Sequence, residues 1–313
     1  MIKSTINNYT LPFFILIFWT THSLAKIDHS VHFYNENKRT FQEFQFNHYE
    51  MNYRAAALQN SLGLMYLRGH GVAKDLTKAF TCFSKAANRG LPESQQNIGL
   101  MYVNGDGVTK DQGKAFEWIN KAANQGLVTS QQTLGLFYAI GEGVPKDLTK
   151  AFEWFSKAAN QGLAISQQNL GLMYASGHGV TRDEQKAFEW FSKAANQGLA
   201  ISQQNIGLMY ATGYGVTKDI TKASEWFHKA AVLGNAEAMV TLAIFHHDGV
   251  TGTRNLVLAH VWFDLAGKHG LEGAHKYRDK VAMRLPQNYI NKAQEVASNW
   301  NIGQEIPNII YER

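Results

Sequence analysis

Apolar and polar positions along this chain follow two nested periods, a helical one and a longer one of 36 residues. Over residues 93–103, Ser94, Ile98, Met101 and Tyr102 fall on one stripe of a helix, with Gly99 inside it. A glycine in mid-helix costs about 1 kcal/mol relative to alanine. Its recurrence therefore predicts close approach of a neighbouring helix. Gly105-Asp106-Gly107-Val108 ends this first helix, because glycine reaches positive φ without strain. Asp111 is placed to N-cap a second helix, as are Asp75, Asp147, Asp183, Asp219 and Asn255. Ala115, Trp118, Ile119, Ala122 and Ala123 make a core-facing stripe on that second helix, with small residues where helices touch. Glu117 and Lys121 stand four apart with the acid first, and Glu153–Lys157, Glu189–Lys193 and Glu225–Lys229 repeat the pattern, which predicts surface ion pairs. Gly126 closes the unit, as Gly90, Gly162, Gly198, Gly234 and Gly270 close theirs.

The phrase Leu62-Gly63-Leu64-Met65-Tyr66 returns from Ile98, Leu134, Leu170 and Ile206, with its glycines at 63, 99, 135, 171 and 207. A sixth copy carries Ala243 in the glycine place and His246 in the tyrosine place. The units are 55–90, 91–126, 127–162, 163–198, 199–234 and 235–270. One helical hairpin cannot bury both apolar faces, whereas stacked hairpins share a continuous core. The expected fold class is all-α, a solenoid of stacked helix-turn-helix repeats. Trp118, Trp154, Trp190, Trp226 and Trp262 recur at one place in the second helix, with Cys82 there in the first unit. Core packing is the expected role, with Trp154 buried between its own first helix and the next unit. Residues 271–313 read as capping helices and a tail: a helix over Ala274–Ala282, an interruption at Pro286 and a helix over 290–300.

The N-terminal pattern is different. Lys3, the apolar run Leu11–Trp19 and the small residues of Ser23-Leu24-Ala25 read as a signal peptide over 1–25, cleaved before Lys26. The apolar run is short of the roughly 20 residues that span a bilayer. Export, periplasmic or secreted, is therefore expected, with no transmembrane span after cleavage. Residues 26–54 are a polar and aromatic lead-in, with a packed helix expected near 41–53. A single cysteine in an exported chain leaves stability to packing, and the place of Cys82 in the repeat favours burial. The formal charge of +5 comes from basic residues at fixed repeat positions. That predicts solvated helix faces, and no nucleic-acid partner.

The fifth unit collects the whole pattern: Ile206-Gly207, Tyr210, Gly213-Tyr214-Gly215-Val216, Asp219, Lys222-Ala223, Trp226-Phe227, Lys229-Ala230-Ala231 and Gly234. It resembles the Sel1-like repeat, a relative of the tetratricopeptide repeat, over residues 55–270. The sixth unit departs from it, with Thr251 and Gly252 for the second glycine and valine, as befits an array that must end. The resemblance implies a right-handed α-solenoid and a scaffold or adaptor that binds proteins or peptides. In exported bacterial members it implies work in the cell envelope or contact with host proteins. The mature region carries no Asn-x-Ser/Thr sequon, which leans the same way.

By analogy with tetratricopeptide arrays, the positions left over on the first helix line a concave groove. Gln96, Gln132, Gln168 and Gln204 make one row, and Asn97, Thr133, Asn169 and Asn205 the row beside it. Their donors and acceptors suit an extended peptide backbone, with Leu100, Leu136, Leu172 and Leu208 taking its side chains. The opposing reading is that these polar residues only keep the inner wall soluble, or are alike because the repeats duplicated recently.

No cofactor or catalytic motif emerges. The glycine pairs end helices instead of opening them after a strand, so they form no phosphate loop. His246-His247-Asp248 with His260 offers metal-ligand types, but no other unit supplies matching residues and His246 stands in a packing position. Some cysteine-rich members of the resembled family carry a β-lactamase label. The only Ser-x-x-Lys here, Ser23 to Lys26, straddles the expected cleavage point, and Ser-Asp-Asn and Lys-Thr-Gly are missing. The alternatives to a peptide-binding scaffold are a peptidoglycan-associated factor and, least favoured, such a hydrolase.

Overall fold

The structure is a computed structural model and describes residues 50–307. The expected signal peptide and most of the lead-in lie outside the described residues. The chain divides into two compact units, Met1–Arg54 and Ala55–Arg313. Of the first, the described residues form the start of helix α1 (50–68), where Arg54 pairs with Glu50 at 3.1 Å.

The second unit continues α1 and adds thirteen helices, with no strand among the described residues. The first helices of successive repeats are α1, α3 (Pro92–Asn104), α5 (Val128–Ile140), α7 (Ala164–Ser176), α9 (Ala200–Thr212) and α11 (Ala236–Asp248). The second helices are α2 (Leu76–Asn88), α4 (Gln112–Asn124), α6 (Leu148–Asn160), α8 (Glu184–Asn196), α10 (Ile220–Val232) and α12 (Leu256–Lys268). From α2 to α13 each helix packs on the next in sequence, so the array is an α-solenoid. Helices α13 (Ala274–Ala282) and α14 (Gln287–Asn299) pack on α12 and cover the last core, with Pro286 as the N-cap residue of α14.

Local chemistry sets the ends of these helices. The side chains of Asp75, Asp111, Asp147, Asp183 and Asp219 each accept from the backbone N–H three residues on, at 2.9–3.0 Å, and Asn255 does the same for Leu258. Gly105, Gly141, Gly177, Gly213 and Gly249 end the first helices in the left-handed region. The second glycine of the later pairs, Gly107, Gly143, Gly179 and Gly215, has another reason. A Cβ on Gly143 would stand 2.2 Å from the carbonyl oxygen of Gln112, so the loop rests directly on the preceding second helix.

The mid-helix glycines are notches for aromatic rings. A Cβ on Gly135 would lie 2.5 Å from the Phe155 ring, and Gly171 stands the same way to Phe191. Phe83, Phe155, Phe191 and Phe227 are buried, and Ile119 fills the place in the second unit. In the sixth unit Ala243 replaces glycine, and the corresponding Phe263 instead stacks on Tyr277 with ring centroids 5.7 Å apart.

This corrects the expected role of the tryptophans. Trp262 is buried, as is Cys82, but Trp118, Trp154, Trp190 and Trp226 are only half-buried. Trp154 packs between its own first helix, beside Phe137, and the second helix of the preceding unit, beside Ala115 and Ile119, where the next unit had been expected as its second wall. The lysine three residues on lies over each indole, Lys157 at 3.6 Å from the Trp154 ring centre and Lys121, Lys193 and Lys229 at 3.9–4.0 Å. Among the described residues these lysines are not ion-paired with the glutamates four residues before them. The ring face takes the ammonium.

Candidate interaction surface

Two glutamines begin the middle of α3, α5, α7 and α9, and they do different work. The first of each pair is an internal staple. Gln95, Gln131, Gln167 and Gln203 are buried and donate from Nε2 to the carbonyls of Ala87, Ala123, Ala159 and Ala195 on the preceding helix, at 3.2–3.3 Å. Gln125, Gln161 and Gln197 donate in turn to the side-chain oxygens of Gln95, Gln131 and Gln167, at 2.7–2.8 Å. The sequence reading missed this row. Its signal was the Gln-Gln doublet itself, since two adjacent amides on a helix cannot share one face.

The second glutamine was expected to face a ligand, and at two positions the structure corrects this. Gln132 and Gln168 are buried, at 8% and 3% exposure, and accept hydrogen bonds from the hydroxyls of Ser166 and Ser202 in the following units. Gln96 and Gln204 are half-buried and also bridge units. Gln96 accepts from Thr129 at 2.6 Å, while Gln204 donates to Glu237 at 2.5 Å and accepts from Asn235 at 3.0 Å. This row joins repeats to one another. Asn97, Thr133, Asn169 and Asn205 are half-buried beside it. Asn97 donates to Asn60 at 3.2 Å, and Thr133 bonds its own helix at Thr129.

The leucines are placed differently. Leu100, Leu136, Leu172 and Leu208 are 38–47% exposed, and Ile244 continues them at 45%. They stand 36 residues apart on α3, α5, α7, α9 and α11, so they form one apolar row along consecutive first helices. Ile165 and Ile201, two helical turns before their leucines, lengthen it in the middle units, and Ile140 adds to the end of α5. These five helices contain no lysine or arginine, whereas every second helix from α2 to α12 carries at least one lysine. One face of the array is therefore apolar and uncharged through its middle, with acids only at Glu93, Glu237 and Asp248.

The cap at the end of this face is held by a buried charge. Asp264 accepts from Arg278 at 2.6 Å and pairs with Lys268 at 3.0 Å. Burial opposes its ionisation, but the hydrogen bonds from Arg278 and then Lys268 outweigh burial and hold the carboxyl below the usual carboxylate range. Burial also lowers the His246 imidazole in the tyrosine place, and His228 adds to the effect.

Helix pairs of constant length, stacked through shared staples and glycine notches, define this molecule as a helical-repeat scaffold. The Sel1 repeat pattern matches residues 56–91, 92–127, 130–163, 164–199, 200–235 and 236–271. The chain belongs to the Sel1 repeat family. It is similar in structure to a protective antigen present in uropathogenic Escherichia coli strains that displays an SLR fold, with a TM-score of 0.70 and 33% identity over 77% of this chain. The chain spans about half of that protein, 54% of its length. It is also similar to a Sel1 repeat protein from Oxalobacter formigenes, with a TM-score of 0.62 and 31% identity over 67% of this chain and 84% of that one. No curated protein matches the chain in sequence.

Proposed function

We propose that this chain is an exported, non-catalytic scaffold that binds a protein or peptide along the apolar row of its first helices. The observation that carries the reading is the spacing and exposure of Leu100, Leu136, Leu172, Leu208 and Ile244, two residues beyond the repeated Ile98, Leu134, Leu170, Ile206 and Leu242, which are buried. A contiguous apolar row on a soluble face is unfavourable in water unless something covers it. Sel1 repeats typically mediate protein interaction, which supports the same reading. The half-buried Asn97, Thr133, Asn169 and Asn205 border the row and offer hydrogen bonds to a bound backbone.

Export rests on the N-terminal charge, apolar run and small residues, and the bacterial origin of both similar structures supports an envelope or secreted setting. Co-purification of the full chain from envelope and culture-supernatant fractions, followed by mass spectrometry, tests both parts. A protein partner retained by the parent and lost by a Leu136→Asp/Leu172→Asp variant supports the reading. Recovery of the chain in cytoplasmic fractions alone would refute export. Retention of the same partners by the variant would refute the row, and sedimentation with purified peptidoglycan would point to a cell-wall factor instead.

A further inference from the structure

The apolar row does not simply stop at α11. Ile244, its last member, forms one wall of a cleft of about 360 Å³ between α11, α12 and α13. Phe263 and Val281 are buried beneath it, and the Tyr277 ring stacks on Phe263 at 5.7 Å and 22°. The floor is thus apolar and aromatic, large enough for one substantial side chain.

The rim is cationic. His247 holds two arginines at once: Arg254 Nη2 lies 3.3 Å and Arg284 Nη1 3.4 Å from its Nε2. A guanidinium only donates, so Nε2 accepts, and the Nδ1 proton goes to the Asp248 carboxylate at 2.6 Å. Lys280 stands on the same rim, 5.4 Å from the centre of the Tyr277 ring. Among the described residues, none of Arg254, Lys280 and Arg284 has a carboxylate partner. Asp248, the one acid of the cleft, is engaged by His247. Two guanidiniums drawn to one neutral nitrogen, with a third cation beside them, repel one another and present unused donors towards the solvent-facing mouth.

The contrast with the rest of the face gives direction. From α3 to α11 the row's helices carry no lysine or arginine, and at its end Lys280 and Arg284 line the cleft while His247 holds Arg254 beside them, none of the three with a carboxylate partner among the described residues. An apolar floor under a cationic rim is complementary to a carboxylate attached to an apolar group. We propose that this cleft is the socket for the free C-terminal residue of a peptide lying on the row. Its last side chain sits on Ile244, Phe263 and Tyr277, and its α-carboxylate faces Arg254, Lys280 and Arg284. The inference rests on the row being a peptide-binding surface, and it adds which end of the peptide lies where and what its last residue must be.

The test is selection of a random peptide library, displayed with free C-termini, on the full-length chain. Enriched peptides are then synthesised as the acid and as the carboxamide. The socket predicts an apolar last residue, and at least about tenfold weaker binding of the amide. An Arg254→Gln/Lys280→Gln/Arg284→Gln variant, with parental helicity and Tm, should bind the acid no better than the amide and leave amide binding unchanged. Equal binding of acid and amide by the parent would overturn the socket, as would an equal loss of both in the variant. If such peptides still lose binding in Leu136→Asp/Leu172→Asp, the row stands without the socket. If no peptide is enriched, the socket falls, and the row is then judged by the co-purification of a protein partner alone.

Discussion

At the scale of single residues, the repeat is fixed by what each glycine and each glutamine touches. Gly135 leaves room for a buried ring, so restoring a methyl there sets two effects against each other. Alanine gains about 1 kcal/mol of helix propensity. Its Cβ would meet the Phe155 ring at 2.5 Å, in a core with no slack, and overpacking costs about 1–3 kcal/mol. Gly135→Ala should therefore be net destabilising in urea unfolding, by about 1 kcal/mol. An increase in stability would contradict the close approach. Gln168 joins units through its oxygen. Gln168→Ala strands the buried Ser202 hydroxyl and opens a void, and should cost about 1–3 kcal/mol. The same change at Gln96, which is half-buried, should cost less. Equal costs at both positions would argue against the burial difference that separates them.

At the scale of helices, the repeat length, the Asp N-caps, the glycine C-caps and the notch glycines were all legible in the sequence, because each rests on a residue type with one dominant backbone preference. Two assignments were not. Trp154 and Phe155 are neighbours, and a stripe at i, i+3, i+4 admits both. The glycine opposite decides, and it stands against Phe155 in space alone. Gln131 and Gln132 likewise look alike in sequence, while one reaches back to Ala123 and the other accepts from Ser166 in the following unit. The exposed leucines were legible as the positions left over from the core stripe, and the cationic cleft was not, because α11, α12 and α13 meet there only in the fold. It follows that Phe155→Ala should cost about 3–5 kcal/mol in chemical denaturation and Trp154→Ala distinctly less. The reverse order would contradict the packing described. The caps add a pH dependence. Hydrogen bonds from the backbone N–H of Lys78, Lys114, Lys150, Lys186 and Lys222 hold Asp75, Asp111, Asp147, Asp183 and Asp219 below the usual carboxylate range, against a smaller opposing effect of desolvation. A carboxyl lowered by folding stabilises above its unfolded pKa, and that stability is lost as pH falls through the folded value. The caps' contribution to Tm should accordingly be constant from neutral pH to about 5 and be lost below about 4, on top of the gradual decline below about 6.5 that the lowered His246 imidazole imposes. A Tm that stays constant down to pH 2 would show that the caps contribute nothing.

At the scale of the whole array, the closest packing runs from each repeat helix to its sequence neighbours, and the aromatic pairs follow the same rule. Phe80, Phe116, Phe152 and Phe188 meet Tyr102, Tyr138, Tyr174 and Tyr210 of the following units edge-on at 5.4–5.6 Å. Such an array presents the same chemistry at even intervals, which is what a row of exposed leucines exploits. The claim that this face binds a partner is tested most directly by photo-crosslinking. A benzophenone amino acid is placed at Leu172 on the first-helix face, or at Lys157 on the second-helix face, in the full-length chain expressed in cells. The row predicts a covalent adduct with a protein or peptide from Leu172, and none from Lys157. Adducts from Lys157 alone, or equally from both, would contradict it.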